Sequence, residues 1–155
     1  MKLFVFVCKN TTNIWAGIGA RLWAVSEADP TIMKARETRA KEVRIGNCGI
    51  IYCSAEDKKS LTTPFIFTSA PKIGQHEENV WPERWQMPFS IHPLGSPRKQ
   101  WKTKEALVQL PFNKGTGNTN VTSALKAVGT AVFTPNEIGD DDWAMLLSKL
   151  SAEID

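Results

Sequence analysis

The chain has one tyrosine, two histidines and three cysteines in 155 residues. Cys8, Cys48 and Cys53 form no C-x-x-C pair. The Cys48–Cys53 spacing is loose for zinc, and His76 and His92 lie far from each other, so no metal site is expected. No cofactor is expected either. An odd number of cysteines, one inside the apolar run LFVFVC, fits buried, reduced thiols and hence a cytoplasmic protein. Nucleophilic catalysis finds no Gly-x-Ser-x-Gly and no cysteine with an evident histidine partner. The glycines of GIGA (17–20) and KGTGN (114–118) lack phosphate-loop and dinucleotide spacings and mark turns. No apolar run approaches the length of a membrane span, and the first residues carry no cleavage pattern for export.

Tryptophan is what the chain does have. There are six, most of them among polar neighbours. Trp81 and Trp85 stand four apart in WPERW, and Trp23 lies in RLWAVSE. A buried indole needs a partner for its ring N–H, whereas an indole in a polar loop offers a flat face on which bases and cations stack. Trp23 facing Trp81 or Trp85 would sandwich a base, with Lys9, Asn10 and Thr11 placed to read its edge. The alternative from the residues alone is Trp23 in the core and Trp81 covering a loop.

Charge is distributed unevenly. Residues 1–135 carry eighteen Lys/Arg against ten Asp/Glu, a net +8, and residues 136–155 carry one against six, a net −5. A basic body suits a polyanionic partner. In SPRKQWKTK, Arg98, Lys99, Lys102 and Lys104 surround Trp101, a stacking ring among cations suited to a nucleic-acid backbone. Lys34, Arg36, Arg39, Lys41 and Arg44, mixed with Glu37 and Glu42, read instead as a solvated helix face with ion pairs.

The length and 42% hydrophobic content suit one domain over residues 1–155. Strands are predicted at 3–8, 22–25, 49–53, 64–69 and 87–92. Between the third and fourth, the polar EDKKSLT reads as a long hairpin connection. Helices are predicted at 13–20 behind Thr11 or Thr12, at 31–41 behind Pro30, at 103–109, from Thr122 or Ser123 towards Gly129, and after Asp140–Asp142. In the last helix Trp143, Leu146, Leu147 and Leu150 follow helical spacing, which assigns Trp143 to the core. The order gives an α+β domain on a small, strongly curved mixed sheet or partial barrel flanked by helices.

Four segments, in their order, resemble the PUA-like superfamily and within it the EVE domain and its YTH relatives. They are CKN (8–10) after the first strand, RLWAVSE (21–27), RIGNCGIIYCS (44–54) and NVWPERWQMPFSIHPL (79–94). Asn47 and Cys48 stand where that family's turn usually has Gly-Asp. The resemblance implies a nucleic-acid-binding domain that flips a modified, methylated base into an aromatic cage of Trp23 and Trp81, with Trp85 beside them. It implies base-edge contacts from Lys9, Asn10, Thr11 and Ser54, and walls from Ala24 and Val25. It favours DNA over RNA, with the chain as the recognition module of a restriction system and a nuclease or NTPase as fused or associated effector.

Two other readings compete. An RNA-binding PUA- or YTH-like module would use the same face. The related ASCH family includes amidohydrolases acting on modified nucleosides, with Lys9, Thr12 and Glu78 as the corresponding centre. Its Gly-x-Lys-x-x-Thr/Glu pattern is broken here by Val7, so a binding protein without catalysis is the expectation.

Overall fold

The structure, a computed structural model, describes residues 1–151; Glu153 and Asp155 of the acidic segment lie outside the described residues. Strand β1 (Lys2–Cys8) turns Phe4, Phe6 and Cys8 to one core and Leu3 and Val5 to another. A strand apolar on both faces belongs inside a sheet. Accordingly β1 lies between β3 (Cys48–Cys53), parallel to it, and β8 (Asn136–Glu137), antiparallel to it. The crossover from β1 to β3 passes through α1 (Thr11–Ala20), β2 (Leu22–Val25) and α2 (Pro30–Ala40). Strand β4 (Ser60–Phe67) returns antiparallel to β3, then pairs with β7 (Gln100–Lys102) through its first half and β6 (Trp85–Pro93) through its second. The other end of β6 carries β2 and the short β5 (His76–Glu77).

The main path runs β2-β6-β4-β3-β1-β8 and stays open, so the sheet is mixed and does not close into a barrel. Helices α3 (Thr103–Gln109), α4 (Val121–Leu125) and α5 (Asp140–Leu150) supply Ala106, Leu107, Leu125, Leu146 and Leu150 to the Leu3/Val5 core. The other core is aromatic: Phe4, Phe6, Phe65, Phe67, Phe89 and Phe133 are all fully buried. Each contributes roughly 1.5–3 kcal/mol by leaving water. The α+β class holds.

Several boundaries differ from the expectation. Asn10, not Thr11 or Thr12, caps α1, with its Oδ1 accepting from the Thr12 amide at 2.8 Å. Strand β4 begins at Ser60, so the connection from β3 is short. Strands β5, β7 and β8 were not predicted. Trp143 is only half-buried, packed against the second core. Trp101 is 5% exposed on β7 with Lys149 over its ring, so it belongs to the core and offers no face to a base. Nor is α2 a solvated face throughout, although Lys34 and Thr38 on it are exposed. Arg36 is buried, and Arg39 donates to the carbonyls of Val132 (2.8 Å) and Thr130 (3.0 Å).

Candidate functional site

A cavity of about 250 Å³ opens where β1 ends and α1 begins. Val7, Cys8 and Lys9 form its lip, Asn10 and Asn13 come from the first turn of α1, and Trp23 to Ser26 line it from β2 and its exit. Glu83 and Trp85 enter from the segment leading into β6, Arg36 from α2, and Gly129 and Val132 from the loop that follows α4. Five parts of the chain thus converge on one concavity, the arrangement expected of a small-molecule or single-base site.

A bulge sets the aromatic wall. In the β2–β6 pair, Trp23 faces Phe89 and Val25 faces Gln86, so two residues of β6 oppose Ala24. Met87, one of the two, has φ +50°. The extra residue bends the strand and re-aims what precedes it, a device common beside functional sites. It places Trp85 against Trp23 at 5.4 Å between ring centroids and 77° between planes. Gly17 leaves the room Trp23 needs, since a Cβ there would lie 2.7 Å from the indole Cε3.

Trp81 stacks on Trp85 at 4.0 Å and 12°, and meets Trp23 edge-on at 5.5 Å and 83°. Its Nε1 donates to the Asn13 carbonyl at 2.9 Å, while Trp85 Nε1 donates to Glu83 Oε1 at 2.8 Å. The sequence-based picture of parallel plates, Trp23 facing Trp81, is therefore corrected. The three indoles form one buried cluster in which Trp23 and Trp85 border the cavity and Trp81 backs Trp85. An interplanar stack at 4.0 Å holds nothing between its members.

Of the other expected residues, Lys9, Asn10, Ala24 and Val25 border the cavity; Thr11 and Ser54 do not. Thr11 opens α1, and Ser54 donates its backbone N–H to Cys8. The Asn10 amide is oriented by its capping bond, which leaves Nδ2 free to donate. Arg98, Lys99, Lys102 and Lys104 do not border it either. Arg98 lies 5.4 Å over the half-exposed Trp15 ring, Lys99 Nζ donates to Ser151, and Lys102 Nζ donates to the carbonyls of Asp57 and Lys58. Sequence reasoning missed Asn13, Ser26, Arg36, Glu83, Gly129 and Val132. Ser26 and Glu83 stood inside the resembling segments without being singled out, and Arg36 stood in a basic run, its buried position depending on a contact 93 residues away.

The electrostatics follow from burial. The Cys8 thiol is pushed up to about 11, chiefly by desolvation, so it stays protonated and unreactive on the cavity wall. Desolvation also lowers Arg36, with Arg39 adding to the effect. Outside the cavity, Arg84 bonds Glu27 at 2.7 Å and holds its carboxyl below the usual range, which ties the Trp81 segment to the end of β2.

In fold, the chain is similar to solved YTH domains. No family model matches the sequence, and no curated protein does. Solved structures do match. The YTH domain of Zygosaccharomyces rouxii MRB1, in complex with N6-methyladenosine RNA, aligns with TM-score 0.58 and 10% identity over 99% of this chain and 91% of that one. The Pho92 YTH domain in complex with m6A gives 0.56 and 10% over 99% and 85%. The MmI1 YTH domain gives 0.54 and 11% over 96% and 93%. At such identities the likeness establishes the fold.

Proposed function

We propose that this chain binds RNA and reads a methylated base, N6-methyladenine first among candidates, held in the cavity against Trp23 and Trp85 without catalysis. One observation carries the reading: a base-sized concavity with two indole walls, in a fold whose solved examples include complexes with N6-methyladenosine RNA. Stacking supplies roughly 1–3 kcal/mol per aromatic contact. Lys9 and Asn10 Nδ2 supply donors for the base edge. DNA and an attached nuclease or NTPase rest on the EVE resemblance alone, and no feature of the cavity favours them. An amidohydrolase needs a desolvated lysine, yet Lys9 is exposed and Glu78 does not border the cavity.

The test is fluorescence anisotropy at fixed salt with one sequence as RNA and as DNA, each with adenine, N6-methyladenine or 5-methylcytosine at one position. Methylated RNA is expected to bind at least about tenfold more tightly than unmodified RNA, and Trp23→Ala or Trp85→Ala to remove about tenfold. Equal affinity for methylated and plain RNA, or unchanged binding in both variants, would end the reading. Tighter binding of methylated DNA would restore the rival partner.

A further inference from the structure

Arg36 is 4% exposed and lines the cavity, and no carboxylate pairs with it among the described residues. Its Nη1 donates to the Ser26 carbonyl at 2.7 Å and its Nη2 to the Gly129 carbonyl at 2.8 Å, while Nε finds no acceptor among the described residues. Carbonyls satisfy N–H groups without cancelling the charge. The neighbouring Arg39 adds to that charge, and Asp29, the exposed cap of α2, only partly opposes it.

Lys9 places a second cation at the lip of the cavity. Glu83 is the one carboxylate on the wall; it is exposed, and its Oε1 is engaged by Trp85. Exposed charges are screened by water and salt, and buried ones far less. Glu83 is felt at the Cys8 side of the wall, but Arg36 is, among the described residues, the one buried charge that lines a cavity of only about 250 Å³.

That sign bears on which methylated bases can enter. Some methylations leave the ring neutral, as in N6-methyladenine and 5-methylcytosine. Others fix a positive charge on it, as in N1-methyladenine and N7-methylguanine. Indole walls alone favour the cations. We infer that the cavity admits neutral methylated bases and rejects cationic ones, with Arg36 as the residue that decides. This rests on the base-reading function above and narrows its ligand class. Repulsion from a desolvated charge outweighs a cation–π attraction shared between two rings.

The experiment compares two matched pairs in one RNA sequence. N6- and N1-methyladenine are isomers, neutral and cationic at neutral pH. N7-methylguanine and its 7-methyl-7-deaza analogue share a shape and differ in charge. The wild-type protein is expected to bind the neutral member of each pair at least about tenfold more tightly. Arg36→Gln should narrow both ratios to within about threefold, by gaining affinity for the cations. Equal binding or a cationic preference in wild type overturns the inference, as does an unchanged ratio in a folded Arg36→Gln. Should that variant not fold, the isosteric guanine pair in wild type decides, because only charge separates its members. If N6-methyladenine RNA binds no better than plain RNA, the function reading fails first, and the inference falls with it.

Discussion

Gly17 and Gly19 lie two positions apart on α1, and the space around them differs completely. A methyl group at Gly17 would strike Trp23 at 2.7 Å and the Leu22 carbonyl at 2.9 Å; at Gly19 it would meet nothing within 4 Å. Replacing a helical glycine by alanine gains up to about 1 kcal/mol where there is room. Gly19→Ala should therefore raise the urea midpoint. Gly17→Ala should lower it, by about 1–3 kcal/mol of overpacking, and weaken the RNA binding proposed above by shifting the Trp23 wall. Equal midpoints for the two variants would show that Trp23 does not fill the Gly17 notch. Trp81 likewise owes its role to one neighbour. It is as buried as Trp23, at 3%, but its ring lies behind Trp85, so burial alone does not separate a wall from its support.

At the level of elements, β4 shows what the sequence disclosed and what it did not. Pro64 reads as a strand start because proline seldom sits inside a sheet. Here it follows Thr63, which has φ +55°, at a register shift in the β3–β4 pair, so the strand passes through a bulge and continues. Ser60, Thr62 and Thr63 read as loop because they are polar, yet all three are buried. Thr62 Oγ1 bonds the carbonyls of Lys99 (2.8 Å) and Ser96 (3.2 Å), which pins the β6–β7 loop. Thr62→Val keeps the volume and strands those acceptors, so a loss of about 1–3 kcal/mol in chemical denaturation is expected; no loss would mean the loop is held otherwise. Strands with apolar periodicity, β1, β2 and β3, were legible along with every α-helix. Strands β7 and β8 were not, since two- or three-residue strands carry no period and exist through their partners. Likewise the grouping of Trp23, Trp85, Lys9, Asn10, Ala24 and Val25, which border the cavity, was legible from an order of motifs. Arg36 and Glu83 were not, because their place depends on the crossover that brings α2 and the β6 approach to the end of β1.

Across the whole molecule, the two cores on either side of β1 and β3 share a dependence on pH. Cys8 packs in one and Cys48 in the other, and burial pushes each thiol up to about 11 from 9.0. With folded values above unfolded ones, this stability is complete below pH 9 and declines as pH rises towards 11. By pH 10.5 each thiol should cost about 2 kcal/mol relative to pH 8. Urea midpoints at the two pH values should fall less in Cys8→Ala and Cys48→Ala than in wild type; parallel falls would place the loss in other groups. The position of β1 has a consequence for folding. Its edges are completed by residues 48–53 and 136–137, and the Met1 amine bonds the Ile138 carbonyl at 2.9 Å. Strand β1 therefore has a neighbour on one side only until residues 136–137 reach it, and its run of six apolar side chains (3–8) is covered through contacts distant in sequence, the kind that form slowly and leave apolar surface open to other chains meanwhile.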